Sequence, residues 1–189
     1  MPKRLVRGGD IFTKLVEPYL KKVAKSGGNF KGVLKGEIHE IAGVKVVDNF
    51  VFTKQTKAVR NKLRRQFNRS ERKKFLKGLN EADLRRHGFT DAEIKRVQSG
   101  KVPKGYQVHH KNPLDDSGTN NPDNLVLIRN SPDHQLITNH QTWATKDMVP
   151  GDSLTITWPE FPSGTTIWPP TKSTMTTITY GPFYDNMVI

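Results

Sequence analysis

The chain has 189 residues and 34% apolar content, enough for a modest core in one domain with additions or in two small ones. It contains no cysteine, which excludes a disulfide framework and a cysteine-based zinc ribbon and leaves His, Asn and carboxylates to hold any metal. The formal net charge is +13, and because residues 141–189 carry Lys146 and Lys172 against Asp147, Asp152, Glu160 and Asp185, residues 1–140 carry +15. Such a block favours a polyanionic partner; charge alone leaves nucleic acid, an acidic membrane surface, an acidic protein and an ordinary solvated face open.

In chain order, Met1–Asp10 is basic without a following apolar stretch and does not read as a secretory signal. No apolar run anywhere approaches the length of a membrane span. Residues 10–25 predict an amphipathic helix, with apolar side chains at Ile11, Phe12, Leu15, Val16, Tyr19, Leu20 and Val23, a kink at Pro18 and an end at Ser26. Three short β pieces follow at Phe30–Leu34, Glu37–Ile41 and Val44–Phe52. Glu37 and His39 fall on one face of the second, a spacing compatible with a metal but more often with solvation.

Residues 53–79 are densely basic. Val59, Leu63 and Phe67, then Phe75, Leu76 and Leu79, recur at helical spacing, predicting one or two basic helices with Asn68 or Ser70 as a cap between them. Arg60, Lys62, Arg64, Arg65, Arg69, Arg72 and Lys73, with Lys111 further on, are the candidate phosphate contacts; a solvated helix face or a membrane-surface helix are the blander readings. Asn80 and Gly88 bound a short helix, and Thr90 with Glu93 forms a capping box for the next, ending at Ser99-Gly100.

Four of the six histidines fall between 109 and 140. His109 and His110 close a strand starting at Tyr106, and a regular strand turns them to opposite faces; joint service in one site requires the strand to end or distort there. A polar loop follows, and Asn124 at its far end is placed to pin it through its side-chain amide. Leu125–Ile128 predicts a short apolar strand. Ser131, Pro132 and Asp133 read as cap, first helical position and first-turn acid, which puts His134 in a first turn, where the helix dipole favours the neutral imidazole a metal needs. Thr138 stands one turn on, and His140, about 240° further round an ideal helix, should not share a metal shell with His134 unless the helix is short or broken.

These residues resemble a known family. Val108-His109-His110-Lys111-Asn112-Pro113-Leu114, then Gly118-Thr119-Asn120, Asn124–Ile128 and His134, are similar to the HNH, or ββα-metal, endonuclease motif, in particular that of bacterial polymorphic toxins and bacteriocins. The likeness spans residues 103–141. It implies that His109 and His134 are metal ligands, that His110 is the general base, and that Asn124 holds the loop that orients it. Asn130, Asn139 and His140 are candidates for a further ligand or phosphate contact. The paired cysteines of many members are absent, and Thr138 replaces a second ligand on the helix. The implied cofactor is one divalent cation, Mg or Mn for catalysis, with Zn or Ni also suited to imidazoles.

The expected fold class is α+β: a basic helical N-terminal region, a ββα-metal nuclease core and a small β-rich C-terminal appendage. The expected segments are 1–52 (mixed α/β), 53–102 (basic helical), 103–142 (nuclease core) and 143–189, which is rich in Thr, Pro and Trp, with strands at Leu154–Trp158 and Met175–Tyr180. The expected activity is hydrolysis of DNA phosphodiester bonds with little sequence specificity. The toxin likeness implies a delivered or secreted effector acting in the target-cell cytoplasm and restrained by an acidic immunity protein. The competing readings are a phage or mobile-element nuclease, a non-catalytic nucleic-acid-binding module, and a structural zinc site of His109, His134 and His140.

Overall fold

The computed structural model describes residues 16–172 and the backbone of 177–182. Its elements mix helices with two small sheets, an α+β fold. No helix among the described residues is long and apolar enough to cross a membrane.

Helix α1 (Glu17–Lys25) has Pro18 near the start of its described part. The earlier positions predicted for it, residues 10–15, lie outside the described residues. Strand β1 (Asn29–Leu34) pairs antiparallel with β2. The two pieces expected at 37–41 and 44–52 are one strand, β2 (Glu37–Thr53), which runs through Gly43 because it has partners along its whole length.

The basic region is one continuous helical rod rather than two capped helices. Helix α2 (Lys57–Gln66) passes through a π turn (Phe67–Glu71) into α3 (Arg72–Gly78). Asn68 and Ser70 lie inside that turn, and the Ser70 hydroxyl donates to the Glu71 carboxylate. Of the first apolar set only Phe67 is buried; Val59 is 44% exposed. Helices α4 (Glu81–His87) and α5 (Asp91–Gln98) follow as expected. Asn80 caps one by accepting from the amides of Ala82 and Asp83, and Gly88 at φ +98° ends it; the Thr90–Glu93 box opens the other.

Strands β3 (Tyr106–His110) and β4 (Leu125–Arg129) form an antiparallel pair. The chain then turns at Asn130–His134 into helix α6 (Gln135–Ala144). Ser131 is extended, and its hydroxyl donates to the Gln135 side chain instead of capping the helix. The anchor there is Asp133, fully buried and gripped by the Arg129 guanidinium at 3.0 and 3.1 Å.

The C-terminal segment is built into both sheets and is not an appendage. Strand β5 (Ser153–Glu160) and β7 (Thr177–Pro182) pair with β2, and β6 (Ile167–Trp168) lies parallel to β4. Met175 of the predicted last strand lies outside the described residues.

Two cores flank β4. Val126 and Ile128 join Leu20, Phe30, Ile41, Leu136, Ile137 and Trp168, while Leu125 and Leu127 join Phe67, Leu76, Leu84, Ile94 and Val97. Leu127→Ala is therefore expected to cost about 3 kcal/mol in urea unfolding. Val59→Ala on the exposed helix should stay within about 0.5 kcal/mol.

Candidate functional site

Directly opposed residues of an antiparallel pair share a face. His109 stands opposite Val126 and faces α6, whereas His110 stands opposite Leu125 and faces the helical rod. The ladder stays regular through His110 and the strand ends there, so of the two expected alternatives it is the end and not a distortion that is found. Ordinary strand alternation sends the two imidazoles to different neighbours. The His109 ring meets His134, centroids 4.9 Å apart and planes at 85°. The His110 ring lies 4.6 Å from Phe67. Both line one cleft of about 360 Å³, at the end of the strand, together with Arg64, Asp115, His134, Thr138 and Gln141.

The loop between the strands is tied closed by Asn124. Its Oδ1 accepts from the Asn112 amide at 2.8 Å, and its Nδ2 donates to the carbonyls of Asn112 and Thr119 at 2.9 and 2.8 Å. The loop is drawn so tight that a Cβ on Gly118 would lie 2.1 Å from the Asn112 oxygen. Distant elements hold it too. Buried Asp116 accepts from the Thr53 amide at 2.6 Å, and the Trp158 indole donates to the Lys111 carbonyl at 3.0 Å. Asp115 is clamped by Lys54 and by Arg60 at 2.8 Å. Burial pushes the Asp115 carboxyl up, but those two cations outweigh it and hold it below the usual range.

The imidazoles in the cleft are held neutral. Burial takes His109 well below the ordinary value, with His134 and His110 adding to the shift, and lowers His134 to about 4. Burial also lowers His110, opposed by its hydrogen bond to Asn120 and reinforced by Arg64. The His109 Nε2 is buried with no hydrogen-bond partner among the described residues. The Thr138 hydroxyl lies 3.3 Å from the His134 ring. A neutral, partnerless imidazole nitrogen beside a second neutral imidazole is a donor set that fits a divalent cation. Among the described residues no group of three or more His, Cys, Asp or Glu converges, so water and substrate oxygens would complete the shell.

Three candidate contacts are displaced from this cleft. Asn130 accepts from Gln107 at the opposite end of β3, and Asn139 donates to the Val33 carbonyl, fastening α6 to β1. His140 is buried between Phe30 and Trp158, and its Nε2 lies 2.7 Å from the Thr157 carbonyl. That position overturns a zinc site made of His109, His134 and His140. The His39 and Glu37 side chains stand 3.7 Å apart on β2, away from this cleft.

Of the basic candidates, Arg64 reaches the cleft, and Lys62, Arg65 and Arg69 line a neighbouring exposed groove. Arg72 lies over the Phe67 ring, and the Lys73 stem lies over Gly100. Arg60 is committed to Asp115, and the half-buried Lys111 ammonium donates to the Asp123 carbonyl at 2.9 Å. Reasoning from the sequence missed Asn120, whose Oδ1 lies 2.9 Å from His110 Nε2. It belongs to the Gly118-Thr119-Asn120 stretch, but spacing along the loop carries no sign that the chain doubles back onto His110.

Removing the Asn124 side chain should release the loop without unfolding the strands. In Asn124→Ala we expect a cost of about 1–3 kcal/mol and markedly faster hydrogen exchange at the Asn112 amide. Acid should act through the buried rings. Because burial lowers His134 and His87 to about 4 from 6.5, the unfolded chain binds protons that the folded chain refuses in between. Stability is therefore full above about pH 6.5 and falls as the pH drops toward 4, read as a falling urea midpoint; a flat midpoint would contradict neutral burial.

The chain is 37% identical over 147 residues to an Escherichia coli K12 protein described as uncharacterized, YhhZ. That match covers 78% of this chain but 37% of the relative, so the chain spans well under half of the protein it resembles. No protein-family model matches the chain. No solved structure matches it.

Proposed function

We propose that the chain is a metal-dependent endonuclease of the ββα-metal kind, hydrolysing phosphodiester bonds of DNA with little sequence specificity. One observation carries the reading: His109 and His134, both neutral, meet at 4.9 Å in the same cleft as His110 and Arg64. His109 from the strand and His134 from the turn before α6 are the residues that would hold the cation. When bound, a divalent cation there supplies charge neutralisation at the scissile phosphate and help for the departing oxygen.

The remaining work falls to side chains of this protein. His110, neutral near pH 7 because burial lowers it, accepts the proton of the attacking water. Arg64 offers a guanidinium to the phosphate at the cleft mouth. Lys62, Arg65 and Arg69, on the exposed face of α2 and the π turn, follow the backbone on either side. Contacts of this kind read phosphates and not bases, which supports weak sequence specificity. An exposed cationic face also suits an acidic inhibitor. An effector role in a target cell, restrained by such an immunity protein, is part of this proposal.

Plasmid cleavage with a panel of Mg, Mn, Zn and Ni, using wild type beside His110→Ala, tests the reading. We expect metal-dependent nicking, stopped by a chelator with the fold retained. In His110→Ala the rate should fall by about 10²–10⁴-fold with DNA retention unchanged. Cleavage undiminished in that variant would remove His110 from the chemistry. Unfolding by the chelator would point to a structural metal instead.

A further inference from the structure

Asn120 occupies a position that neither the motif nor the loop closure explains. Its Nδ2 donates to the Leu63 carbonyl of α2 at 3.0 Å, and its Oδ1 lies 2.9 Å from His110 Nε2. A carbonyl takes only a donor, so Leu63 fixes which way round the amide lies. The oxygen is then the atom turned to the imidazole, and it carries no hydrogen. A hydrogen bond at that distance requires the proton to sit on His110 Nε2. In the neutral ring the basic lone pair is left on Nδ1. Phe67, 4.6 Å away on the π turn that continues the same helix, packs against the ring.

We propose that Asn120 is a positioning residue that fixes His110 as the Nε2–H tautomer and thereby makes Nδ1 the atom that receives the proton of water. The second half rests on the nuclease reading above; the first does not. The balance is simple. Water loses one proton to Nδ1, its oxygen forms a bond to phosphorus, the bond to the leaving oxygen breaks, and the imidazole carries the proton as a cation. The resulting positive charge spreads over both ring nitrogens, and Nε2–H remains bonded to the Asn120 oxygen, which favours the charged state. The proposal also gives the basic helix a second job. Its Leu63 carbonyl sets the amide that sets the base.

The test is ¹⁵N NMR of histidine-labelled, metal-free protein, read beside cleavage kinetics. In wild type, His110 is expected to show the Nε2–H pattern. Asn120→Ala should lose that preference and lower kcat by at least about tenfold, with KM within about twofold, because it disturbs the base and not phosphate binding. Asn120→Asp keeps an acceptor toward His110 and should restore the Nε2–H pattern. An Nδ1–H ring in wild type overturns the proposal, even if no variant folds. So does an Asn120→Ala protein with wild-type kcat. Wild-type protein that shows the Nε2–H ring but cleaves nothing sinks the nuclease reading and leaves the tautomer assignment standing.

Discussion

Leu125, Val126, Leu127 and Ile128 are all removed from water, and they alternate between two separate cores. A strand apolar on both faces has no hydrophobic reason to prefer one register over the next, because a slip by one residue buries the same kind of surface. Polar contacts at its two ends therefore set the register. At one end the Asn124 carbonyl accepts from Lys111 at 2.8 Å while its side chain ties Asn112 to Thr119. At the other, the Asn130 amide donates to Gly105 at 2.7 Å and Arg129 clamps Asp133. With those ends fixed, His109 must face α6 and His110 must face the helical rod.

That register assembles the cleft from parts that are remote in the chain. His109 reaches His134 only because α6 packs under β4 through Leu136 and Ile137. His110 is held only because α2 and its π turn bring Phe67 and the Leu63 carbonyl to the other side. The loop itself leans on β2 through Asp116 and on β5 through Trp158. The elements on either side of the His-rich stretch thus form its support. A side chain works in chemistry only if its own neighbours lock it, and here the locks come from every layer of the fold.

Electrostatics in the cleft follow from the same burial. Burial takes the imidazoles of the cleft out of water, so their charged forms are disfavoured even though the chain is strongly basic. Asp115 is the opposite case. Two cations satisfy it, so it enters the cleft wall as a paired carboxylate. The cation-rich rod stays exposed because α2 contributes little to the core beyond its junction at Phe67.

Local signals in the sequence determined the caps at Asn80 and Thr90, the stop at Gly88, the apolar strand at Leu125–Ile128 and the clustering of histidines. Each depends on residues within a few positions of one another, where propensity and hydrogen-bonding chemistry decide. Long-range closure was not legible. The sequence reads β2 as two pieces because Gly43 looks like punctuation, whereas pairing with β1, β5 and β7 carries the strand through. It reads residues 143–189 as an appendage because their composition changes, whereas β5 and β6 complete the two sheets. Helical geometry already turns His140 away from His134, but that it enters the core against Thr157 is seen only in the fold. Asn120 looks like loop, yet it touches His110. Which histidines meet, and what holds each ring, was decided only by tertiary structure, because those contacts join faces whose relative position no local pattern encodes.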